Sequence, residues 1–155
     1  MRLMRTLSRK CKYALRALYC LTREYDHGFV SAAVIAREEA IPRKFLEAIL
    51  SQAHHAGLVD SREGKGGGYY LALSPASITI GSVIRAIDGP LAPLPCVSET
   101  AYRRCPECVD ESRCETRFVM KQVRDAMAAV LDQVTLSDLM KEARSLAAAG
   151  VTYEI

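Results

Sequence analysis

The sequence of 155 residues predicts a mainly α-helical fold that contains one small β-hairpin. Two observations carry this prediction. Apolar residues recur at intervals of three and four through most of the chain, which is typical of amphipathic helices. Between residues 58 and 73 this spacing gives way to alternation around a glycine-rich stretch, which indicates two short strands joined by a tight turn. The predicted order is three helices, the hairpin, a fourth helix, an irregular loop, a long helix and a short final helix.

The first three helices are predicted from apolar spacing and from residues that begin or end helices. The first covers residues 9–25. Ser31 is a suitable N-cap for a short second helix through about Glu39. Pro42 suits the first position of a third helix that ends near His55. The apolar stripe of this third helix, which we expect to be buried, consists of Phe45, Leu46, Ile49, Leu50 and Ala53.

The hairpin follows directly. Leu58-Val59 begins its first strand, and Tyr69, Leu71 and Leu73 alternate in its second strand. The connecting stretch, residues 62–68, holds four glycines and two positive charges. Three helices followed by a basic hairpin is the order of a winged helix-turn-helix, which we assign to residues 1–90.

The rest of the chain is predicted to be a loop and two helices. Thr79 caps a fourth helix with Ile80, Val83, Ile84 and Ile87 on its apolar face. Residues 91–114 contain prolines and cysteines without a steady period, so we expect a loop there. A long helix over 115–133 and a short one beginning at Thr135 complete a third unit, residues 115–147. A seam that can pack against a partner helix, or against its own domain, is formed by Met120, Val123, Met127, Val130 and Val134.

Charge and hydropathy narrow the class of protein. Residues 1–70 hold 12 Lys/Arg and 7 Asp/Glu, a net charge of +5, whereas the remainder has 9 against 11, or −2. A basic first half is the footprint of a nucleic-acid surface. No stretch approaches the roughly 20 apolar residues of a membrane span, and no signal-peptide core follows the basic start. We therefore expect a cytoplasmic protein with no membrane partner.

Several exposed cations lie where a winged helix meets DNA. Arg43 and Lys44 occupy the first turn of the third helix, where positive side chains are unfavourable beside the positive end of the helix dipole. A bound anion would offset this unfavourable charge. Side chains near this end of a recognition helix read base edges in the major groove, and Glu47 can accept from cytosine. We expect phosphate or minor-groove contacts from the hairpin and the first helix through Arg62, Lys65, Arg9, Lys10 and Tyr13. For Tyr13 a structural role is equally open.

Four of the six cysteines form a cluster within 19 residues: Cys96, Cys105, Cys108 and Cys114. Thiolates suit iron–sulfur clusters and zinc, and a metal-free thiol switch is a third possibility. Cys105-Pro106-Glu107-Cys108 lacks the strand–helix–strand context of a thioredoxin-like site. Cys11 and Cys20 lie in a helical pattern and are expected to be inert. No Ser/His/Asp arrangement is evident, so we predict that the protein is not an enzyme.

Several short motifs, taken in order, resemble those of the winged-helix transcriptional regulators typified by IscR, NsrR and CymR. The resemblance covers nearly the whole chain. Each motif is short, but their joint order and spacing are specific. They are Lys12-Tyr13-Ala14-Leu15, Phe45-Leu46-Glu47, Gly57-Leu58-Val59, Gly64-Lys65-Gly66-Gly67-Gly68-Tyr69, Ile80-Gly81-Ser82-Val83-Ile84 and Val134-Thr135-Leu136-Ser137-Asp138-Leu139.

The resemblance implies a homodimer that binds a roughly palindromic DNA operator, with Glu47 at a base-contacting position. It also implies an iron–sulfur cluster, of the 2Fe-2S or 4Fe-4S type, held through three cysteines that correspond to Cys96, Cys108 and Cys114. Cys105 is an additional cysteine and becomes the expected fourth ligand. At the two positions where relatives place a non-cysteine ligand, this sequence has Lys12 and Arg117.

The sequence therefore predicts a DNA-binding transcriptional regulator that senses iron–sulfur, redox or nitrosative status. We expect it to act as a repressor. A winged-helix regulator with a structural zinc or a metal-free thiol switch is one alternative. A small iron–sulfur electron carrier, in which the winged helix docks another protein, is an alternative of another class.

Overall fold

A computed structural model describes residues 7–150 and confirms the mainly α-helical fold with one small hairpin. Short 3-10 turns at Pro75–Ser77, Pro95–Val97 and Glu111–Arg113 interrupt the connections. Within residues 7–150 no helix is long and apolar enough to cross a membrane. The helices and strands are α1 Arg9–Arg23, α2 Ala32–Glu38, α3 Arg43–His55, β1 Val59–Arg62, β2 Gly68–Leu71, α4 Ile80–Asp88, α5 Glu115–Leu131 and α6 Leu136–Ala148.

The helices begin where side-chain caps satisfy their free N–H groups. Ser31 and Thr79 accept from the backbone N–H groups of Val34 and Ser82, which confirms both predicted caps. Thr135 forms a full capping box with Asp138 at the start of α6. The third helix begins one residue later than predicted, because Pro42 takes the N-cap position with extended backbone.

The hydrophobic core lies between α1, α3 and α4, and Val59 and Leu71 of the hairpin are part of it. The predicted apolar face of α4 is buried in full, and Leu18 and Leu21 of α1 pack against the same core. The predicted stripe of α3 is wrong at one position: Phe45 is 44% exposed and meets the ring edge of Tyr13 instead. Leu73 is also exposed, because β2 ends at Leu71 and the alternation stops there.

The final helix returns to the winged helix and is 13 residues long, so the prediction of a short helix is wrong. The chain before it pairs with the chain before α4. The N–H of Ile80 donates to Val134 O at 2.8 Å, and the N–H of Leu136 donates to Ile78 O at 3.0 Å. Val134 packs against the core beyond the end of α5, which removes it from the predicted seam.

A charged pair joins α4 to the end of α5. Arg85 Nη1 and Nη2 donate to Asp132 Oδ1 and Oδ2, at 2.5 and 2.8 Å. This hydrogen-bonded pair lowers the pKa of Asp132. Gly81 makes the approach possible, because a Cβ at this position would lie 2.0 Å from Asp132 Oδ1. The arrangement fixes where α5 ends relative to the core.

The turn between α2 and α3 contains a residue, Ala40, whose backbone conformation is better suited to glycine. Ala40 has φ +48°, in the left-handed region that costs a non-glycine residue about 1–2 kcal/mol. We expect Ala40→Gly to raise the free energy of unfolding by about 0.5–1 kcal/mol, as measured by urea titration. Ala33→Gly, on the exposed face of α2, is the control and should lower it by about 1 kcal/mol. A loss of stability in Ala40→Gly would contradict the strained turn.

Candidate nucleic-acid interface and cysteine loop

The first turn of α3 presents three exposed charged side chains: Arg43, Lys44 and Glu47. Arg43 Nε donates to Glu47 Oε1 at 3.1 Å, one helical turn away. Lys44 forms no ion pair within 4 Å among residues 7–150. An exposed pair of this kind is weak, so it can open when a stronger partner binds. This turn therefore offers two cations and one acceptor to an incoming ligand.

The start of α1 lies along α3. Tyr13 is half-buried, and its ring lies 5.9 Å from that of Phe45, so the structure brings it beside the first turn of α3. Lys10 instead contacts the Gln52 side chain, near the other end of α3. Arg9 is exposed at the first position of α1. Of the residues predicted on α1, Tyr13 is the one placed against the first turn of α3.

The two cations of the wing (β1, β2 and the turn between them) have different surroundings. Lys65 is exposed at the hairpin tip, whereas the Arg62 guanidinium lies 5.4 Å from the centre of the Phe29 ring. Such cation–π packing restrains the arginine at the last strand pair before the turn, where Arg62 lies opposite Gly68. Gly68 has an internal role, because a Cβ there would lie 2.5 Å from Val30 O. The glycine-rich sequence thus serves close packing of the hairpin as well as its turn.

The cysteine loop (residues 91–114) has a buried first part. Cys96 and Val97 are 5% and 3% exposed. Two α5 side chains hold their carbonyl groups: Arg117 Nε donates to Cys96 O at 3.3 Å, and Arg124 Nη1 donates to Val97 O at 2.7 Å. The sequence analysis identified neither arginine as a contact to the loop. Their spacing of seven residues on a predicted helix is the signal that could have found them.

The second part of the loop is more exposed and brings two thiols together. Burial, and then a hydrogen bond between the thiols of Cys108 and Cys114, raise the pKa of Cys108. The N–H of Cys108 donates to Cys105 O at 3.2 Å, which closes a turn between these cysteines. Cys96 and Cys105 line a common cleft of about 520 Å³, together with Arg103 and Arg104.

The four thiols are not gathered into one closed site. Within residues 7–150, no group of three or more His, Cys, Asp or Glu side chains is close enough to hold a metal ion. The thiols outside the loop are buried in the helical core. Burial, with the nearby charge of Asp88, raises the pKa of Cys11 to about 11, so this thiol is protonated and unreactive. Burial also raises the pKa of Cys20. Both observations agree with the expectation that these two thiols are inert.

One side of α5 is apolar and uncovered. Val119 is 49% exposed, Met127 39% and Val130 62%. Val123 and Met120 lie on the same side, by helical spacing, and are half-buried. Arg117, Arg124 and Leu131 occupy the side that faces the domain. The predicted seam therefore lies on the surface of the chain from Met120 to Val130.

Comparison with known proteins decides the family. Residues 7–142 match the family model Rrf2, described as iron-dependent transcriptional regulator. The chain belongs to the Rrf2 family. An rrf2-like HTH-type transcriptional regulator of Rhodobacter capsulatus is 39% identical to this Rrf2 chain over 137 residues, which cover 86% of the chain and 91% of the relative. The protein is a transcriptional regulator of this family and not an enzyme.

Solved structures confirm the fold. CymR, described as the global cysteine regulator of Bacillus subtilis, superposes with a TM-score of 0.74 at 32% identity. The alignment covers 90% of this Rrf2 chain and 98% of the CymR chain. IscR of T. potens superposes with a TM-score of 0.73 at 27% identity, over 97% and 94% of the two chains. The fold of this Rrf2 chain is therefore that of CymR and IscR.

Proposed function

We propose that this Rrf2 regulator binds an inverted-repeat operator as a homodimer and represses transcription. We further propose that its cysteine loop senses iron–sulfur, redox or nitrosative status. The observation that carries the DNA-binding part is the exposed first turn of α3, with Arg43, Lys44 and Glu47 available together. Arginine and lysine donate to guanine, and a carboxylate accepts from cytosine. The wing tip adds Lys65 as a phosphate contact.

The dimer part rests on α5. Its uncovered apolar side is continuous over three helical turns, and a second copy of the same helix offers the same surface. Dimers of helix-turn-helix proteins place their recognition helices about one DNA turn apart. A dimer through Val119, Val123, Met127 and Val130 would let two copies of α3 read the two half-sites of an inverted repeat.

The sensing part rests on the chemistry of the donor set. Four soft thiols within one loop suit an iron–sulfur cluster. Cys96, Cys108 and Cys114 would hold the cluster, with Cys105 as the expected fourth ligand, and the cluster would supply a redox-active centre that also reacts with nitric oxide. The iron dependence in the family description supports iron over a structural zinc, which remains the alternative metal.

A metal-free thiol switch is the second candidate, favoured by the nearness of Cys114 to Cys108: burial, and then this nearness, raise the pKa of Cys108. Hydrogen peroxide would oxidise these two thiols to a disulfide and be reduced to two molecules of water, the two thiol hydrogens ending in that water. Both candidates place the chemistry next to the N-terminus of α5, since Cys114 is its N-cap residue.

Two substitutions distinguish phosphate contact from base reading. We expect Lys65→Ala to weaken binding to all DNA sequences alike and to reduce the slope of log affinity against log salt by about 1. Glu47→Gln should instead change which base is preferred at one position of each half-site, because the glutamine amide can donate a hydrogen bond as well as accept one. Gel-shift titrations at several salt concentrations, followed by selection from a randomised operator, measure both effects.

Lys121→Ala is the matched control for this experiment. Lys121 is exposed on α5 and carries the same charge, but it lies outside α3 and the wing. It should leave the salt slope unchanged. If Lys65→Ala and Glu47→Gln both bind every sequence as the wild type does, the proposed DNA interface is incorrect.

A further inference from the structure

The first turn of the cysteine loop is the part most firmly attached to the molecule. Cys96, Val97 and Ser98 are 5%, 3% and 7% exposed, whereas residues 99–104 are exposed. Ser98 accepts a hydrogen bond from the N–H of Ala101 at 3.0 Å, so the turn is also closed on its outer side. The cysteine loop therefore consists of a buried anchor and an exposed arm that carries Cys105 and Cys108, and the N–H of Arg103 in this arm donates to Pro95 O at 3.2 Å.

Two arginines of α5 hold this anchor by its backbone. Arg117 and Arg124 are two helical turns apart, so both point to the same side of the helix. They donate to the consecutive carbonyls of Cys96 and Val97, at 3.3 and 2.7 Å. Arg124 is 12% exposed and also lies 3.4 Å from the carboxylate of Glu99. Hydrogen bonds from a charged, poorly hydrated donor are among the stronger ones in proteins.

Arg117 touches both ends of the cysteine pattern. Its side chain binds the carbonyl of Cys96, while its backbone N–H donates to Cys114 Sγ at 3.4 Å. A displacement of either cysteine must therefore act on the first turns of α5. The opposite consequence also holds, since a shift of α5 pulls on the anchor.

We propose that Arg117 and Arg124 are positioning residues that clamp the Cys96–Val97 backbone to α5. Through this clamp, a rearrangement of the cysteine loop changes the position of the helix that carries the apolar side. The role in signal transmission rests on the proposed sensing function, whereas the clamp itself does not. Arg117 thus supports the cysteine loop without itself being a ligand.

Cysteine reactivity tests the clamp without any metal or DNA. The full-length reduced protein, treated with chelator, is exposed to N-ethylmaleimide, and each cysteine is followed by peptide mass mapping. We expect Cys96 to react at least about tenfold faster in the double variant Arg117→Gln/Arg124→Gln, because hydrogen bonds from charged donors are lost. Arg124→Lys, which keeps the charge and a donor, should fall between the wild type and the double variant.

Two internal controls make the result decisive. Cys11 and Cys20 are fully buried and report on global unfolding, and Lys121→Gln changes an exposed cation on the same helix. A rise confined to Cys96 supports the clamp. An unchanged Cys96, or an equal rise at Cys11, Cys20 and Cys96, would overturn it, because the arginines would then not hold this segment specifically.

A second measurement tests transmission. Operator affinity is compared between protein reconstituted with iron and sulfide and protein treated with chelator. In the double variant, we expect the change in operator affinity between these two forms to be at least about tenfold smaller than in the wild type, because tenfold is within the ordinary range of an allosteric coupling. If the double variant shows the same change in operator affinity as the wild type, the proposed transmission through the clamp is incorrect. If the wild type itself shows no change, the proposed sensing function fails, and the reactivity of Cys96 still decides the clamp.

Discussion

Val130→Glu is expected to convert the dimer into monomers and to lower operator affinity by about 100-fold or more. The side chain is 62% exposed in the single chain, so the substitution should leave the monomer fold intact. In the proposed dimer it would bury a charge without a partner, at a cost of several kcal/mol. Separating the two recognition helices then removes the gain of about 10²–10⁴ that linked binding provides. Analytical ultracentrifugation and gel-shift titration measure the two consequences.

Val109→Glu is the matched control for this experiment. Val109 is 95% exposed in the cysteine loop, away from the apolar side of α5, so the same substitution should leave the dimer unchanged. Circular dichroism should show the wild-type helix content in both variants. A dimer of wild-type stability in Val130→Glu would mean that α5 is not the interface between two copies.

Serine substitutions in the cysteine loop should have the largest effect on the proposed cofactor. We expect Cys96→Ser, Cys108→Ser and Cys114→Ser each to lower iron binding by about 100-fold or more, since even partners outside the ligand shell contribute 10–100-fold. Cys105→Ser should have the same effect if it supplies the fourth ligand. Anaerobic reconstitution, with absorption spectra and iron, sulfide and zinc analysis, gives the readout.

Cys11→Ala is the control, because this buried thiol lies in α1 and outside the loop. Zinc in place of iron would support the structural-metal alternative. A disulfide between Cys108 and Cys114 after peroxide treatment, seen as the loss of two hydrogen atoms in mass with no metal bound, would support the thiol switch. If all four serine variants keep the wild-type spectrum and the wild-type change in operator affinity, the cysteine loop is not the sensor.

Local patterns predicted the elements of this fold well. Ser31, Thr79 and Thr135 cap their helices as expected, because a hydroxyl that satisfies a free N–H acts within three residues. The apolar face of α4 is buried as its spacing predicts. The errors came where local spacing is insufficient. Phe45 fits the helical stripe of α3 but lies at its first turn, outside the core.

The candidate site shows the same division. Position in a motif was enough to select Arg43, Lys44, Glu47 and Lys65, and the structure places all four at the surface. It was not enough for Arg62, whose charge is held over the ring of Phe29, a residue 33 positions earlier in the chain. It also missed Arg117 and Arg124: their spacing places them on one side of a helix, but the backbone carbonyls that they bind are brought there by the tertiary structure.

By itself the sequence determined the order of helices and hairpin, the cluster of four thiols and the basic character of the first half. These depend on periodicity, on composition and on residues close together in the chain. Tertiary structure decided how α6 returns to the core, which removed Val134 from the seam. It also decided that Arg117 and Arg124 of α5 hold the backbone of Cys96 and Val97. The physical reason is that these features depend on contacts between residues 20 or more positions apart, and the free energy of such contacts is set by packing and not by local propensity.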